Sequence, residues 1–540
     1  MGNVIFYDEE ARRRILGGAE MLYDAVKTTM GPKGRNVVIS KQYGGPTVTH
    51  DGVTVAKGID IEETDETLGY KTGAELIKQA ANKMNDIAGD GTTTVTVLTY
   101  NILKEANKLI AAGHNPMLIR KGLERAANEV IATLSTLAEP IEGKKSRIAE
   151  VATISAGDSE IGQQIAEVMN SIGKDGVVTV EEGRSLELES EIVEGYTLDR
   201  GFVSPYMAKD TKRMQAILDK PAVIVTDKKI SSAQEIVPVL EMVAQSGKKD
   251  LVLIASDVDG EALALLVLNS LKGSFNTVAI KSPTDKDKLK DIAILVGAKL
   301  IAEDENVSFE ELDVSVIGSA RKVIVSKDST TIVEGNGDKK LLSDHLDTIK
   351  SQADDETSQY AKQNLMKRHA ALSGKVAVIK VGGATETEIE EKKYRVDDAV
   401  AAVKAALVEG IVPGGGVTLV NLATKYTVKS DDPAIAAGEK LLVEALQKPF
   451  AILLKNSGLN ADEWLPQVKS AKIGYGIDVT NPTKLVDMKA AGVIDPVRVT
   501  REVLTNAVSI AGTAMTMGAL VVENPKKEDS SSVAPGMGMY

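Results

Sequence analysis

Short apolar runs alternate with helical segments through the middle of the chain. The strand-like runs are residues 222–225, 251–255, 277–280 and 299–302. Regular alternation of strands and helices predicts a sheet with parallel strands. The first intervening helix opens with Ser232 and Glu235 in capping-box spacing. None of these strand-like runs is followed by a G-x-G-x-x-G sequence, so the region does not predict a dinucleotide site.

The segments on either side of this region have mainly helical periodicity. Residues 8–135 contain one strand-like excursion, at 36–40. A helix is predicted to begin at the threonine run 92–94, because the apolar positions that follow share one face. These positions are Leu98, Ile102, Leu109 and Ile110. Residues 154–158 have the composition of a turn.

The second half returns to the helical pattern after Gly374. It predicts a strand at 376–381 and long helices from Tyr394 onward. The uncharged run 507–522 is shorter than about 20 residues and rich in small residues, which favours a packed core helix over a membrane span. Helical material therefore brackets a βα insert, a topology that suits a moving arm on a base.

Composition narrows the class of protein. The chain has 540 residues, 43% of them hydrophobic, so several domains of about 100–200 residues are expected. A formal net charge of -13 argues against nucleic-acid and anionic-membrane partners. The absence of cysteine excludes disulfides, thiolate metal sites and cysteine nucleophiles. Charged residues between Asp8 and Arg14 interrupt any signal-like apolar start, so we expect a cytoplasmic protein.

One heptapeptide, residues 88–94, combines a hard-cation ligand with an anion cradle. Asp90 supplies the carboxylate oxygen that Mg²⁺ prefers. Gly91 permits close approach to a phosphate, and Thr92, Thr93 and Thr94 add hydroxyl donors at a helix start. The segment indicates a nucleotide-phosphate site that is not a Walker A loop. An ordinary helix cap is the alternative for this segment alone.

Other candidate segments are ambiguous one by one. Residues 29–36 fit a helix end and turn, Asp51-Gly52 a turn, and Gly414–Gly416 either a loop or a backbone contact with a ligand. Asp398 lies in a predicted helix, where a lone aspartate is usually solvated. The chain has no G-x-x-x-x-G-K-[ST] and no H-E-x-x-H, and its four histidines are scattered, so P-loop and zinc-hydrolase chemistry are unsupported.

Taken together, these segments resemble the group I chaperonins, the bacterial-type 60-kDa ring chaperonins. The resemblance runs from Ala11 to Pro525 and includes the stretches 200–206 and 260–264. It implies a multidomain α+β/α/β fold: a mostly helical equatorial ATP-binding base (1–136 and 410–525), a small intermediate hinge domain (137–193 and 374–409) and an apical domain with βα alternation (194–373). Residues 526–540 would form a disordered tail.

The resemblance also implies roles for individual residues. Asp90 would be the Mg²⁺ ligand, Asp398 would orient the attacking water, and Asp51 would assist it. The nucleotide would be contacted by Thr29, Met30, Gly31, Pro32, His50, Gly91, Thr92, Thr93, Thr94, Ile154, Gly414, Gly415, Asp478, Val479, Thr480 and Asp495. The cofactors would be ATP and Mg²⁺, with K⁺ as a further candidate.

Two apolar helices predict a second functional surface. Segments 232–245 and 260–272 are apolar on nearly every side, so they are either enclosed or display a binding patch. The resemblance implies a site that captures unfolded polypeptide and receives a small co-chaperonin lid. Its residues would be Phe202, Ser204, Tyr206, Met207, Val237, Leu240, Leu263, Val267 and Leu268. The subunits would form a homo-oligomer, two seven-membered rings back to back.

The chain departs from the family pattern at several points. His50 stands where lysine is usual, which predicts weaker ATP binding or slower turnover and keeps a scaffold with weak or no ATPase as an alternative. Segment 64–72 is longer than usual and 281–290 shorter, Val408 replaces an acidic or amide residue, and the Gly-Met tail is truncated. A plain ATP hydrolase is the other rival, although the sequence offers no further catalytic groups.

Overall fold

The computed structural model describes residues 3–40, 46–173, 176–183, 185–210, 214–303, 308–356 and 358–523. The predicted tail 526–540 lies outside these residues. The α-helices are α1 Asp8–Val26, α2 Gly52–Gly58, α3 Tyr70–Ala88, α4 Thr92–Ala111, α5 Pro116–Thr136, α6 Lys145–Ala156, α7 Ser159–Ile172, α8 Ala233–Gln245, α9 Gly260–Lys272, α10 Lys286–Val296, α11 Lys339–Asp355, α12 Gln359–Leu372, α13 Glu386–Glu409, α14 Val417–Lys425, α15 Pro433–Ala445, α16 Lys448–Asn456, α17 Ala461–Ser470 and α18 Val497–Met515.

The strands are distributed along the whole chain. They are β1 Asn3–Tyr7, β2 Val37–Ile39, β3 Thr47–Thr49, β4 Val177–Glu182, β5 Glu189–Leu198, β6 Ala216–Asp219, β7 Ala222–Val225, β8 Lys229–Ile230, β9 Asp250–Ala255, β10 Asp257–Val258, β11 Asn276–Lys281, β12 Gly318–Val325, β13 Thr330–Gly335, β14 Lys375–Val381, β15 Ile411–Pro413, β16 Tyr475–Ile477, β17 Leu485–Asp487, β18 Ile494–Pro496 and β19 Ala519–Glu523.

The chain forms two compact units, which confirms the predicted multidomain fold class. The bracketing unit contains the residues up to Asn170 and those from Gly383 onward, and the inserted unit runs from Ser171 to Gly382. The three-domain division with a separate hinge stays a prediction. None of the described helices is long and apolar enough to cross a membrane.

The bracketing unit is a helical bundle. Its main core is an apolar cluster to which α1, α3, α4, α5, α15 and α18 contribute, and smaller buried clusters lie beside it. Small two-stranded sheets surround it, among them β1 with β19, β2 with β3 and β15 with β18. Gly18 and Gly73 let α1 and α3 approach closely. A methyl group at Gly18 would lie 1.7 Å from the Tyr70 carbonyl oxygen of α3, and one at Gly73 would lie 2.0 Å from the Ile15 carbonyl oxygen of α1.

The inserted unit is built on a nine-stranded mixed sheet in the order β11-β9-β7-β12-β13-β5-β14-β4, with β6 on β12. The strands β7, β9 and β11 are parallel, as predicted, and their residues are almost all buried. The strands β12, β13 and β5 are antiparallel to their neighbours. The capping box of Ser232 and Glu235 at the start of α8 is confirmed.

Four local predictions need correction. The predicted strand at 299–302 is wrong, since only Ile301 forms an isolated bridge, to Thr226. The predicted helix over 507–522 ends at Met515, and the chain then forms β19 because β1 provides a pairing partner. Helix α13 begins at Glu386, before Tyr394, because Thr385 caps it. The predicted turn or boundary at 154–158 is helical up to Ala156, and a helix boundary lies at Gly157 and Asp158.

Candidate functional site

The loop between α3 and α4 is a tight structure that only glycines permit. Gly89 and Gly91 have left-handed backbone conformations, with φ of 67° and 83°, on either side of Asp90. A methyl group added at Gly91 would lie 2.9 Å from side-chain carbons of Val499 and Val503. The chain therefore enters α4 directly after Asp90, and the first-turn N–H groups of this 20-residue helix face the same place as the threonine hydroxyls.

Two other segments meet the start of α4. The hydroxyl oxygens of Thr29 and Thr93 lie 3.2 Å apart, although 64 residues separate them in sequence. Gly52 is equally close, because a methyl group there would lie 2.3 Å from the Thr93 hydroxyl oxygen. Asp51 begins α2 as its N-cap and accepts hydrogen bonds from the N–H groups of Val53 and Thr54. The three predicted segments around residues 29, 51 and 90 therefore form one site.

Three carboxylates of this site influence one another. Burial raises the pKa of Asp90, a hydrogen bond from the Gly91 N–H opposes that rise, and the charge of Asp51 adds to it. Burial and the charge of Asp90 raise the pKa of Asp495 to about 7. Burial is the main cause of both shifts and the neighbouring carboxylate charge adds to it, so a bound cation would favour the ionised form of these groups.

The glycine loop 414–416 lies against Asp495. Strands β15 and β18 pair so that Val412 is opposite Asp495, and the Gly414 N–H donates to the Val493 carbonyl over 2.9 Å. A methyl group added at Gly414 would lie 2.9 Å from Asp495 Oδ1. This close approach explains why the sequence has glycine there, and contact of this loop with a ligand stays a prediction.

Helix α13 carries Asp398 to the same loop. A methyl group at Gly89 would lie 2.3 Å from the Cβ of Ala401, so α13 touches the residue next to Asp90. Asp398 precedes Ala401 by three positions, which places both on one face of the helix. Asp398 is half-buried. The structure thus brings the predicted water-orienting residue and the predicted metal ligand to neighbouring elements.

His50 lies at the side of the site that faces α13. Burial lowers its pKa, the charge of Arg395 lowers it further, and Glu391 and Asp51 act in the opposite direction. Arg395 itself is paired with Glu391 over 2.5 Å. A methyl group at Gly34 would lie 2.7 Å from the His50 ring, so His50 also contacts the loop that follows α1. His50 is therefore neutral at pH 7.

The remaining predicted nucleotide residues lie on the same unit. Ile154 is partly exposed on α6, which packs against α13 and β18. Asp478 Oδ1 accepts hydrogen bonds from the N–H and hydroxyl of Thr480, which fixes a turn. Val479 belongs to a buried cluster with Met488, and a methyl group at Gly415 would lie 3.2 Å from Met488. No contact joins Asp478 or Thr480 to the carboxylates within the described residues.

Sequence reasoning missed one residue that supports the site. Asn456, at the end of α16, donates from Nδ2 to the carbonyls of Lys27 and Met30, at 2.8 and 3.0 Å. These bonds hold the segment containing Thr29 and Gly31. Lys27 and Asn456 are 429 residues apart, and Asn456 has no local motif around it, so no pattern in the sequence could have revealed this contact.

The donor set fits a magnesium ion bound together with a phosphate ligand. In the described part of the chain, no three His, Cys, Asp or Glu side chains are arranged to hold a metal ion by themselves. Mg²⁺ is typically held by one or two carboxylates, with substrate phosphates and waters completing its coordination. Asp90, with two other carboxylates near it at the N-terminal end of α4, matches that chemistry.

The predicted client-binding residues divide into two groups. Tyr206, Val237 and Leu268 are exposed, at 72%, 39% and 47%, while Leu263 and Val267 are half-buried. The other four are packed in the core of the inserted unit: Phe202, Ser204, Met207 and Leu240. For these four the structure shows a packing role, and their contact with a client stays a prediction. Leu271, at 70% exposure on α9, was not predicted.

Two comparisons with known proteins agree with this fold. The chaperonin gp146 from bacteriophage EL 2 (Pseudomonas aeruginosa), whose crystal structure was solved in the presence of ATP-BeFx, is similar in structure with a TM-score of 0.66. The match covers 97% of this chain and 100% of that chain at 21% sequence identity, a level that shows the fold alone. The model of the TCP-1/cpn60 chaperonin family matches residues 22–525. The chain belongs to the TCP-1/cpn60 chaperonin family.

Proposed function

We propose that the protein is an ATP-driven folding chaperonin that assembles as a ring of identical subunits. The observation that carries the proposal is the convergence of Asp51, Asp90 and Asp495 on the threonine-rich start of α4, with the Asp398 face of α13 beside it. Phosphoryl transfer needs positioning and charge neutralisation more than covalent chemistry, and this set of groups supplies both. The phage chaperonin solved with an ATP analogue has the same fold.

Each residue has a distinct role in this proposal. The N–H groups and hydroxyls of Thr92 to Thr94 bind phosphate oxygens, and Asp90 holds Mg²⁺, with K⁺ as a further candidate ion. When bound, the magnesium ion neutralises charge on the phosphates. Asp398 orients the attacking water and Asp51 assists, while Asn456 keeps the segment containing Thr29 in place.

Ring assembly is supported by the small sheets of the bracketing unit. Strands β1 and β19 pair only with each other in the described residues, and so do β2 and β3. Isolated two-stranded sheets are marginally stable, and their free edges attract further strands. These strands also expose large apolar side chains, namely Tyr7, Val38, Val48 and Val521. A neighbouring subunit would cover both edges, and two rings of seven are the assembly that we propose.

Client capture is assigned to the inserted unit. The exposed side chains of Tyr206, Val237 and Leu268 provide apolar contacts, which do not depend on a precise orientation of the partner. Such contacts suit clients that share exposed hydrophobic surface rather than a common sequence. The same surface would receive a small co-chaperonin lid. ATP can drive release of the client only if it binds two conformations of the subunit with different affinities. Movement of Asp398 towards the bound nucleotide is the proposed link between this conformational change and hydrolysis.

A refolding assay tests the proposal. The assembled protein should restore activity to a denatured client enzyme only with ATP, Mg²⁺ and a co-chaperonin. Asp398→Ala should lower ATP turnover by about 100-fold while ATP still binds, because a water-orienting group acts mainly on the chemical step. Asp431→Ala, which removes an exposed carboxylate from a loop of the same unit, is the matched control.

One observation favours a second candidate, a scaffold with weak or no ATPase. His50 is neutral at pH 7, so the site lacks the cation that the resemblance would place there. A scaffold predicts neither turnover nor refolding, whereas a plain hydrolase predicts turnover without refolding. The same assay therefore separates all three functions, and absence of ATP turnover in the wild type would contradict the main proposal.

A further inference from the structure

A groove runs along α8 in the inserted unit, on the side that faces residues 309–312. Its volume is about 550 Å³. Val237, Pro238 and Met242 line it from α8, and Phe309 and Leu312 line it from the opposite side. Phe309 and Met242 are buried, so the floor of the groove is apolar and held by the core. A groove of this size accepts a few large side chains rather than a whole helix.

The rim of the groove carries negative charge. Glu241 and Glu310 both line it, and both side chains are exposed. Within the described residues, neither forms an ion pair. A positive group also lies near the floor of the groove, since Lys228 Nζ is 5.7 Å from the centre of the Phe309 ring. The groove therefore joins an apolar floor to two exposed carboxylates that form no ion pair within the described residues.

The backbone of α8 is irregular beside the groove. Pro238 lies inside the helix and has no N–H, so the carbonyl of Gln234 lacks its usual donor four residues further on. Gln234 itself lines the groove, as does Gln245 about three turns along. A chain entering the groove thus meets two amide side chains beside the apolar floor.

We propose that this groove binds a segment of unfolded polypeptide that carries a lysine or arginine next to large apolar residues. The inference rests on the proposed client-binding function and names the class of client segment that this unit prefers. Apolar side chains would occupy the floor between Met242 and Phe309, and the basic side chain would pair with Glu241 and Glu310. Val237 belongs both to the groove and to the proposed client surface, so the two are continuous.

The preference arises from charge complementarity at a partly desolvated site. Single exposed ion pairs are weak, but two carboxylates acting on one cation beside an apolar floor reinforce each other. We expect a peptide with basic residues to bind about tenfold more tightly than a peptide with acidic residues and the same apolar content. Because the pairs lie at the rim, salt should reduce that difference.

The experiment uses the full chain and two fluorescein-labelled peptides of about twelve residues. Both contain the same leucines and phenylalanines; one has two lysines, and the other has two glutamates in their place. Fluorescence anisotropy gives the affinity for each. The double variant E241Q/E310Q should abolish the tenfold preference, and E241K/E310K should reverse it. Glu311→Gln, which neutralises an exposed neighbour outside the groove, should leave the preference intact.

The outcomes separate this inference from the proposed function. If both peptides bind equally and E241Q/E310Q has no effect, while Leu268→Ser still weakens binding, the groove assignment is wrong and client binding stands. If the chain binds neither peptide, both are wrong. If E241K/E310K changes the subunit number in sedimentation and leaves the peptide preference unchanged, the groove is a contact between copies and the inference is overturned.

Discussion

The proposed nucleotide site of the bracketing unit and the proposed client surface of the inserted unit are built on opposite principles. The first unites residues from distant segments: Thr29, Asp51, Asp90 and Asp495 meet through glycine contacts that leave no room for a methyl group. The second lies on two consecutive helices, α8 and α9, whose apolar residues are divided between core and solvent. Exact placement serves a ligand with defined charges, whereas a loose apolar surface serves clients without a common sequence.

This difference has a consequence for mutational tolerance. A change of one methyl group should disable the nucleotide site, because its atoms are already in contact. On the client surface, the effect of a substitution should depend on which side of the helix the residue faces. The following substitutions test the comparison, from the largest expected effect to the smallest.

Two leucines on α9 separate core from surface. Leu266 is fully buried, and Leu266→Ser should lower the free energy of unfolding of the inserted unit by about 4 kcal/mol through a cavity and a buried hydroxyl. Leu268→Ser, at a half-exposed position, should change stability by less than about 0.5 kcal/mol and weaken client binding. Chemical unfolding and binding of a denatured client measure the two effects. Equal destabilisation by both variants would contradict the assignment of the two faces.

Gly52→Ala tests the close packing of the nucleotide site. The added methyl group would lie 2.3 Å from the Thr93 hydroxyl oxygen, so α2 or α4 must shift. We expect ATP affinity to fall by about 100-fold, equivalent to about 3 kcal/mol, the upper range for overpacking. Gly518→Ala is the control, because a methyl group there meets nothing within 4 Å. Calorimetric titration with ATP measures both, and unchanged affinity in Gly52→Ala would show that the site tolerates movement.

Asp495→Asn tests the repulsion between carboxylates. The pKa of Asp495 is raised to about 7 in the folded protein, so the folded state holds a proton that the unfolded state has lost above about pH 4. Because of this group, the free energy of unfolding falls as pH rises from about 4 to about 7. Above that range the carboxyl is ionised in both states, and the free energy falls no further on its account. Removing the charge should raise the unfolding free energy at pH 8 by about 2 kcal/mol.

The pH dependence supplies the control for this variant. At pH 5 only the first part of that loss has occurred, so Asp495→Asn should raise the free energy of unfolding by much less than at pH 8. Urea unfolding without nucleotide at pH 5 and pH 8 gives both values. A variant less stable than wild type at pH 8 would mean that Asp495 is stabilised by a cationic partner rather than strained by Asp90.

His50→Lys should have the smallest effect, on ATP affinity or turnover. The lowered pKa keeps His50 neutral at pH 7, so a permanent charge should strengthen ATP binding or speed turnover by about fivefold, close to 1 kcal/mol. Wild-type protein should recover part of this gain only well below pH 6.5, as His50 becomes protonated, and the lysine variant should lose that pH dependence. Identical ATP affinity and rate for both proteins from pH 6 to 8 would exclude a role for His50.

Local sequence patterns were sufficient for several elements. The bounds of α9, the capping box of α8 and the start of α4 at Thr92 were all predicted, because caps and helical periodicity depend on residues within a few positions of one another. The segment 519–523 was mistaken for helix, since its strand conformation requires pairing with β1 at the other end of the chain. The isolated bridge at Ile301 shows the reverse case, an apolar run without enough partners to form a strand.

The sequence by itself determined which residues have the chemistry for nucleotide and client binding, and where the helices that carry them begin. Only the tertiary structure decided that Thr29 touches Thr93, that burial and the charge of Asp90 raise the pKa of Asp495, and that Asn456 holds the segment after α1. It also decided that Leu240 is buried while Val237 is exposed on the same helix. Residue type and local periodicity are encoded over a few positions, whereas contacts and burial depend on packing between segments up to hundreds of residues apart.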